Sequence, residues 1–182
     1  MAVPSTPPTA IQIRGATKDD IPAISHLGAT VFAATFAHSM PKRDLDEYLV
    51  QAYSVKSITK DFESADDDII VAVDEHSEVV GFAQLTCNTS EPCLSDKENF
   101  CELQRLYVHS SHHGKGIGSS LMRKIDEMAR RQGFSGIWIG VWEGHMNAHR
   151  LYQRMGFEKA GEGKEFRIGE TVQRDWIMWK DL

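Results

Sequence analysis

The residues best suited to chemistry stand together in H-G-K-G-I-G, His113 to Gly118, with Ser119 following. Glycines at 114, 116 and 118 can take positive φ and bring the backbone close to a ligand, and the first N–H groups of a helix starting here lack internal partners. Outward-pointing amides at the positive end of a helix hold an anion, most simply a phosphate. Lys115 and Arg123 could meet the same charge, although basic residues on an exposed helix side are commonly just solvated. His109, His112 and His113 crowd the turn, but no cysteine or carboxylate is spaced to complete a metal site, so no metal is expected.

Periodicity supplies the elements that would position this turn. Leu103 to Val108 alternates and is rich in branched and aromatic residues, as a strand does, whereas Ile117, Leu121, Ile125 and Met128 recur at helical spacing. The glycines therefore join a strand to a helix N-terminus. A dinucleotide fingerprint would need a third glycine where Ser119 or Leu121 stands, and a P-loop needs Ser or Thr where Gly116 follows Lys115, so neither applies. A second block, I-W-I-G-V-W-E-G-H-M-N-A-H-R-L-Y-Q-R-M-G-F from Ile137 to Phe157, reads as strand, polar turn and helix. Ala148, Leu151, Tyr152 and Met155 share one helix side, and Gly156 sits at the C-cap.

The two blocks, in this order, resemble the GNAT superfamily of acetyl-CoA-dependent N-acetyltransferases. His113, Gly116 and Gly118 hold the fixed places of its pyrophosphate motif Q/R-x-x-G-x-G/A, with His in place of Gln or Arg. Ala148, Leu151, Tyr152, Gly156 and Phe157 match the following N-x-x-A-x-x-(L/F)-Y-x-x-x-G-F segment, with His145 at the Asn position and Asn147 displaced toward the helix. The resemblance implies acetyl-CoA as cosubstrate. It would be held by Leu106, Tyr107 and Val108 at the strand end, by His113, Gly114, Lys115, Gly116, Ile117, Gly118 and Ser119 at the turn, by His145 or Asn147, and by Tyr152. The implied fold is a single α/β (α+β) domain with a central mixed, mostly antiparallel sheet flanked by helices. Trp138, V-W-E at 141–143 and the ending D-W-I-M-W-K look most like the branch that acetylates polyamines and other small amines.

What the implied reaction needs narrows the catalytic candidates. An alkyl ammonium has a pKa of about 10 and must lose a proton before it can attack. Glu102, just ahead of Leu103, resembles the glutamate base of histone-type members, its alternative being a solvated strand-end carboxylate. A backbone N–H near Val108 would steady the tetrahedral oxygen. The departing thiolate needs a proton, which the resemblance assigns to Tyr152, although a tyrosine on an apolar helix face can equally be core.

Composition bounds the rest. A chain of 182 residues with 41% hydrophobic content makes one ordinary domain with a proper core. Twenty Lys plus Arg against twenty-six Asp plus Glu, a net charge of −6, argue against nucleic acid or an anionic membrane and favour a small-molecule cationic amine. Cys87, Cys93 and Cys101 lack metal spacing and read as reduced thiols. With no signal peptide or membrane span recognisable, a cytoplasmic location is expected.

In chain order, residues 1–10 read as a flexible tail and 11–182 as the domain. Ile11 to Arg14 starts a strand, Thr17 to Asp20 caps a helix to about Ala37, and Leu45 to Tyr53 and Val55 to Phe62 are helices. Asp44, Asp46 and Glu47 are candidates to hold an acceptor amine, or else simply face solvent and suit the helix dipole. Ile69 to Asp74 and Val79 to Thr86 form a hairpin, residues 88–100 a polar mobile loop, Glu158 to Glu170 a turn-rich stretch, and Thr171 to Lys180 a closing strand. An exposed C-terminal strand edge would allow a homodimer. A cofactor-binding module that has lost turnover, or a protein N-acetyltransferase, are the competing readings, and the retained Tyr152 favours an enzyme.

Overall fold

The computed structural model describes residues 11–182, apart from the side chain of Lys164; the tail expected over 1–10 lies outside the described residues. The chain runs β1 (Gln12–Gly15), α1 (Ile21–Phe36), α2 (Lys42–Tyr53), α3 (Val55–Glu63), β2 (Asp67–Val73), β3 (Val79–Thr86), β4 (Phe100–Val108), α4 (Ile117–Arg131), β5 (Gly136–Trp142), α5 (Met146–Arg154), β6 (Glu158–Ile168) and β7 (Thr171–Asp181). The strands form one seven-stranded sheet in the order β1-β2-β3-β4-β5-β7-β6, antiparallel except for β4 and β5. The mixed, mostly antiparallel α/β architecture expected from the sequence is the one observed.

Strand alternation divides the core in two. Leu103, Ile137 and Met178 meet Leu121 and Ile125 of α4 and Tyr152 of α5 on one face. Val71 and Phe82 meet Ile24 and Phe32 of α1, Tyr53 of α2 and Ile58 of α3 on the other. The start of α1 is fixed by Asp20, which accepts hydrogen bonds from Arg14 at 2.6 and 2.9 Å and from the Thr17 N–H at 2.7 Å. The Arg14 guanidinium holds the Asp20 carboxyl down at about 2.

The parallel pair shapes everything that follows. It covers only Phe100↔Gly136, Cys101↔Ile137 and Glu102↔Trp138. Beyond it β4 stays paired to β3 as far as Val108↔Gly81, and β5 to β7 as far as Trp142↔Asp175. The two strands therefore diverge, and the backbone groups each turns toward the other lack sheet partners. Such groups require water or a ligand.

Two expectations are corrected. Glu158 to Glu170 is not turn-rich: β6 occupies it almost throughout, its register shifts at Lys159/Gly161 and Glu162/Glu165 absorbing the glycines at an edge strand. The C-terminal strand β7 is interior, so the open edge on that side is β6. The loop between β3 and β4 is mostly exposed and carries a short 3-10 turn at Pro92–Leu94 that buries Leu94 against Trp138 and Ile177. No helix among the described residues is long and apolar enough to cross a membrane.

Candidate active site

The glycine turn has the geometry its composition suggests. Gly114 and Gly116 both have φ of 76°, and Gly116 is the N-cap of α4. A side chain at either position would meet nothing within 4 Å, so open space lies in front of the turn. The first N–H to close a helical bond back to the turn is that of Ser120, which donates to the Gly116 carbonyl. The amides of Ile117, Gly118 and Ser119 precede it and point out of the helix end. Gly118 lies within the first turn of α4, with none of the positive φ of the other two, and a side chain there would reach only Val108 Cγ2, at 3.9 Å. The side chain of Ile117 is in the core, so only its N–H can serve a ligand, whereas Lys115 and Ser119 are exposed at the rim.

His113 acts differently from a free phosphate contact. Its Nε2 lies 2.9 Å from the Val108 carbonyl and donates to it, which braces the turn against the end of β4. His109 and His112 both engage the Ser111 hydroxyl, at 2.7 and 2.9 Å.

The end of β4 separates the two sides of the opening. Leu106 and Val108 pack toward α4. Tyr107 faces α2, where its hydroxyl and that of Tyr53 share a 2.7 Å hydrogen bond. Tyr152 comes up from α5, buried and edge-on to Phe157 at 5.6 Å. Burial, with the Tyr107 phenol nearby, raises its pKa well above the ordinary tyrosine value. A phenol so held stays protonated at neutral pH and can act as a proton donor.

Glu102 occupies the last position at which β4 pairs with β5, inside the strand rather than ahead of it. Burial, reinforced by repulsion from Glu91 and Asp67, pushes its pKa up to about 7. The hydroxyl of Thr89 lies close enough to favour the ionised form, yet is buried without a regular hydrogen bond. Arg105, the cation on the same stretch of strand, is committed elsewhere: to Asp61 at 2.6 Å, to the Gln84 amide oxygen, and to the Ala52 carbonyl at 3.3 Å. Among the described residues Glu102 therefore has no ion pair. A carboxyl titrating near 7 beside the opening is suited to take a proton from an ammonium.

A further carboxylate, not singled out in the sequence, shares this side. Asp175 of β7 is half-buried, and burial, with repulsion from Glu91 and Glu143, pushes its pKa up to about 6. The signal was an Asp alternating with inward Gln173 and Ile177 in a closing strand, where acidic residues are disfavoured. The wall beside it is aromatic: Phe36 and Trp142 pack edge-to-face at 5.6 Å, and His38 lies 5.9 Å from Trp142.

The acidic residues expected to hold an amine do not. Asp44 is buried and accepts from the N–H groups of Glu170 and Thr171, at 3.0 and 3.2 Å, and from the Thr171 hydroxyl at 3.1 Å, clasping the β6–β7 turn. Asp46 and Glu47 pair with Lys42 and Arg43 along the exposed side of α2, at 2.5 and 3.1 Å. Of the two candidates for the Asn position, His145 is the half-buried N-cap of α5 and faces Phe36 at 6.3 Å, whereas Asn147 is exposed on the first turn.

A positively polarised cradle of amides, a sheet opening with unpaired backbone, a protonated phenol and an unpaired carboxyl are carried by β4, β5 and the helices that follow them. The sequence model of the Acetyltransferase (GNAT) family matches residues 34–157. The chain belongs to that family. An uncharacterized N-acetyltransferase encoded in the pepI 3' region of Lactobacillus delbrueckii subsp. lactis is 24% identical over 174 residues, covering 96% of this chain and 99% of that protein. Human N-acetyltransferase 8 is 29% identical over 125 residues, covering 68% of this chain and 54% of that one. The PaiA N-acetyltransferase of Thermoplasma acidophilum, solved in complex with coenzyme A, superposes with a TM-score of 0.75 at 20% identity, covering 95% of this chain and 99% of the other. This GNAT enzyme is an acetyl-CoA-dependent N-acetyltransferase, and its own geometry fits the cosubstrate: the Gly114–Ser119 amides suit a pyrophosphate, and the unpaired β4 edge suits the amides of an extended arm.

Proposed function

We propose that the enzyme acetylates the primary amine of a small cationic acceptor by direct attack, with Glu102 as base and Tyr152 as acid. The observation that carries this reading is Glu102 itself, which stands on the acceptor side of the opening without an ion pair and titrates near neutrality. A carboxylate so placed attracts an ammonium and can take its proton, directly or through one water. The freed nitrogen attacks the acetyl carbonyl carbon, the C–N bond forms and the C–S bond breaks. Tyr152 gives its proton to the leaving sulfur and regains one from the nitrogen. The charge developing on the carbonyl oxygen is met by a backbone N–H near Val108, at the diverging end of β4. The net charge of −6 adds long-range attraction for a cation.

The test is thiol release from acetyl-CoA across butylamine, 1,4-diaminobutane, spermidine, an aromatic amine and a peptide N-terminus. The aliphatic cations should give the highest kcat/KM, and that of spermidine should fall as salt rises, since exposed charges are screened over about 8 Å at physiological ionic strength. Preference for the peptide, or no thiol release with any amine, would overturn the reading.

A further inference from the structure

Resting on the acceptor reading above, we infer that Asp175, with Glu91 of the β3–β4 loop, forms a second ammonium subsite, so that the acceptor is a diamine or polyamine held at both ends. Asp175 stands opposite Trp142 in the β5–β7 register, and its side chain lies across β5 at Gly140. A side chain at Gly140 would come within 3.0 Å of Asp175 Oδ2, so this glycine is what lets the carboxylate lean over the strand that borders the opening. Glu91 is close enough to both acidic positions to raise the pKa of Glu102 and of Asp175. Among the described residues none of the three carboxylates has a cationic partner, and Glu91 Oε2 is fully buried with no hydrogen bond. Three carboxyl groups in one half-buried region, none of them in an ion pair among the described residues, favour a ligand carrying more than one positive charge.

Gln173 gives an independent indication. It is 5% exposed and shares with Asp175 the inward face of β7 two residues away. Its Nε2 donates to Ser39 Oγ at 2.9 Å, which holds the side chain on this side, while its Oε1 is buried with no donor. A neutral acceptor without a donor beside unpaired carboxylates lacks what an ammonium supplies, three N–H groups on one centre. The aromatic wall of Tyr48, Phe36 and Trp142 suits the methylene chain between two such centres, and Asp175 is close enough to Tyr48 to raise its phenol further, after burial.

The experiment compares kcat/KM for 1,4-diaminobutane and for butylamine, of equal carbon number and differing by one charge, in the wild type and in Asp175→Asn and Glu91→Gln. Folding is checked by thermal melting and acetyl-CoA binding by calorimetry. The wild type should prefer the diamine by roughly 10- to 100-fold, the range of a hydrogen bond to a charged group. Asp175→Asn, which keeps the side-chain shape over Gly140, should collapse that ratio toward one, chiefly through KM for the diamine, and Glu91→Gln should reduce it. A ratio that survives in every folded variant would overturn the subsite while leaving the acceptor reading standing. A wild type that uses neither amine would instead overturn the acceptor reading, and the subsite with it.

Discussion

On the α4 side of the opening, the groups offered to a ligand are backbone amides held by one turn, Gly114 to Ser119. On the α1–α2 side they are carboxylates, Glu91, Glu102 and Asp175, brought together from a loop and two strands. The first side is electrically satisfied in itself, since a helix end needs only water when no anion is bound. The second is not, and both of its acidic groups with resolved shifts are held above their ordinary range. One half of the site thus depends on backbone conformation and the other on unbalanced charge, and variants can separate the two.

The largest effect is expected where conformation is broken. Gly116→Val places a branched side chain at φ of 76° and in the space before the turn, so acetyl-CoA affinity should fall by at least about 100-fold in a folded protein. Titration calorimetry measures this, and unchanged affinity would remove the cradle from the comparison. Next comes Tyr152→Phe, which keeps the ring against Phe157 and removes only the hydroxyl: turnover should fall roughly 100-fold with acetyl-CoA binding nearly unchanged. Equal activity would return Tyr152 to the core.

Glu102→Gln should lower turnover by roughly 10- to 100-fold at pH 7, recovering toward the pKa of the amine. In the wild type, kcat/KM should rise with pH through about 7 as Glu102 ionises. The same shift has an opposite consequence for stability. A carboxyl whose folded pKa lies above its unfolded value of about 4.3 costs stability as pH rises from there to about 7, and the cost persists above. Glu102→Gln should therefore melt higher than the wild type at pH 8, at roughly 2–4 °C per kcal/mol, and lose that advantage below pH 4. A pH-independent loss of rate together with unchanged melting would show that Glu102 is not the strained group of the pair.

The smallest catalytic effect belongs to Asp44→Asn. Its carboxylate is satisfied by the β6–β7 turn, so amine kinetics should stay within about twofold, whereas losing charge-assisted hydrogen bonds should cost roughly 1–3 kcal/mol and lower the melting temperature by several degrees. A specific loss of diamine turnover would move Asp44 to the acceptor side.

The same division explains what could be read from the chain. The geometry of the glycine turn was legible because positive φ and a helix start leave their mark within a few residues, and the place of Tyr152 on α5 because its register follows from Ala148. The bracing role of His113 was not, since its partner is a carbonyl whose direction depends on how β4 ends. Asp44 looked like a substrate contact because an acidic residue at a helix start is equally at home there or against a distant turn, and Thr171 lies far along the chain. The G-E-G-K stretch reads as a turn on composition, yet pairing with β7 overrides it through irregular register, as tertiary context does for strands. Asp175 went unremarked for the converse reason: a charged residue in a strand signifies little until its neighbours across the sheet are known.

The short parallel seam has a mechanical consequence. Four strands, β1 to β4, make one plate and three, β5, β7 and β6, another, and along the sheet three residue pairs join them. At the seam the Phe100 ring lies over Gly136, where an added methyl would be 1.5 Å from it, so the plates are pressed together at one end and free at the other. Such a sheet behaves as a pair of jaws with a stiff hinge, and a ligand lying in the gap acts as the rungs the sheet lacks. Amide exchange across Leu103 to Val108 should accordingly slow on adding acetyl-CoA far more than exchange across Ile70 to Val73 of β2, which is paired on both sides. The cosubstrate then counts as part of the secondary structure, and the enzyme reaches its full sheet only while it is loaded.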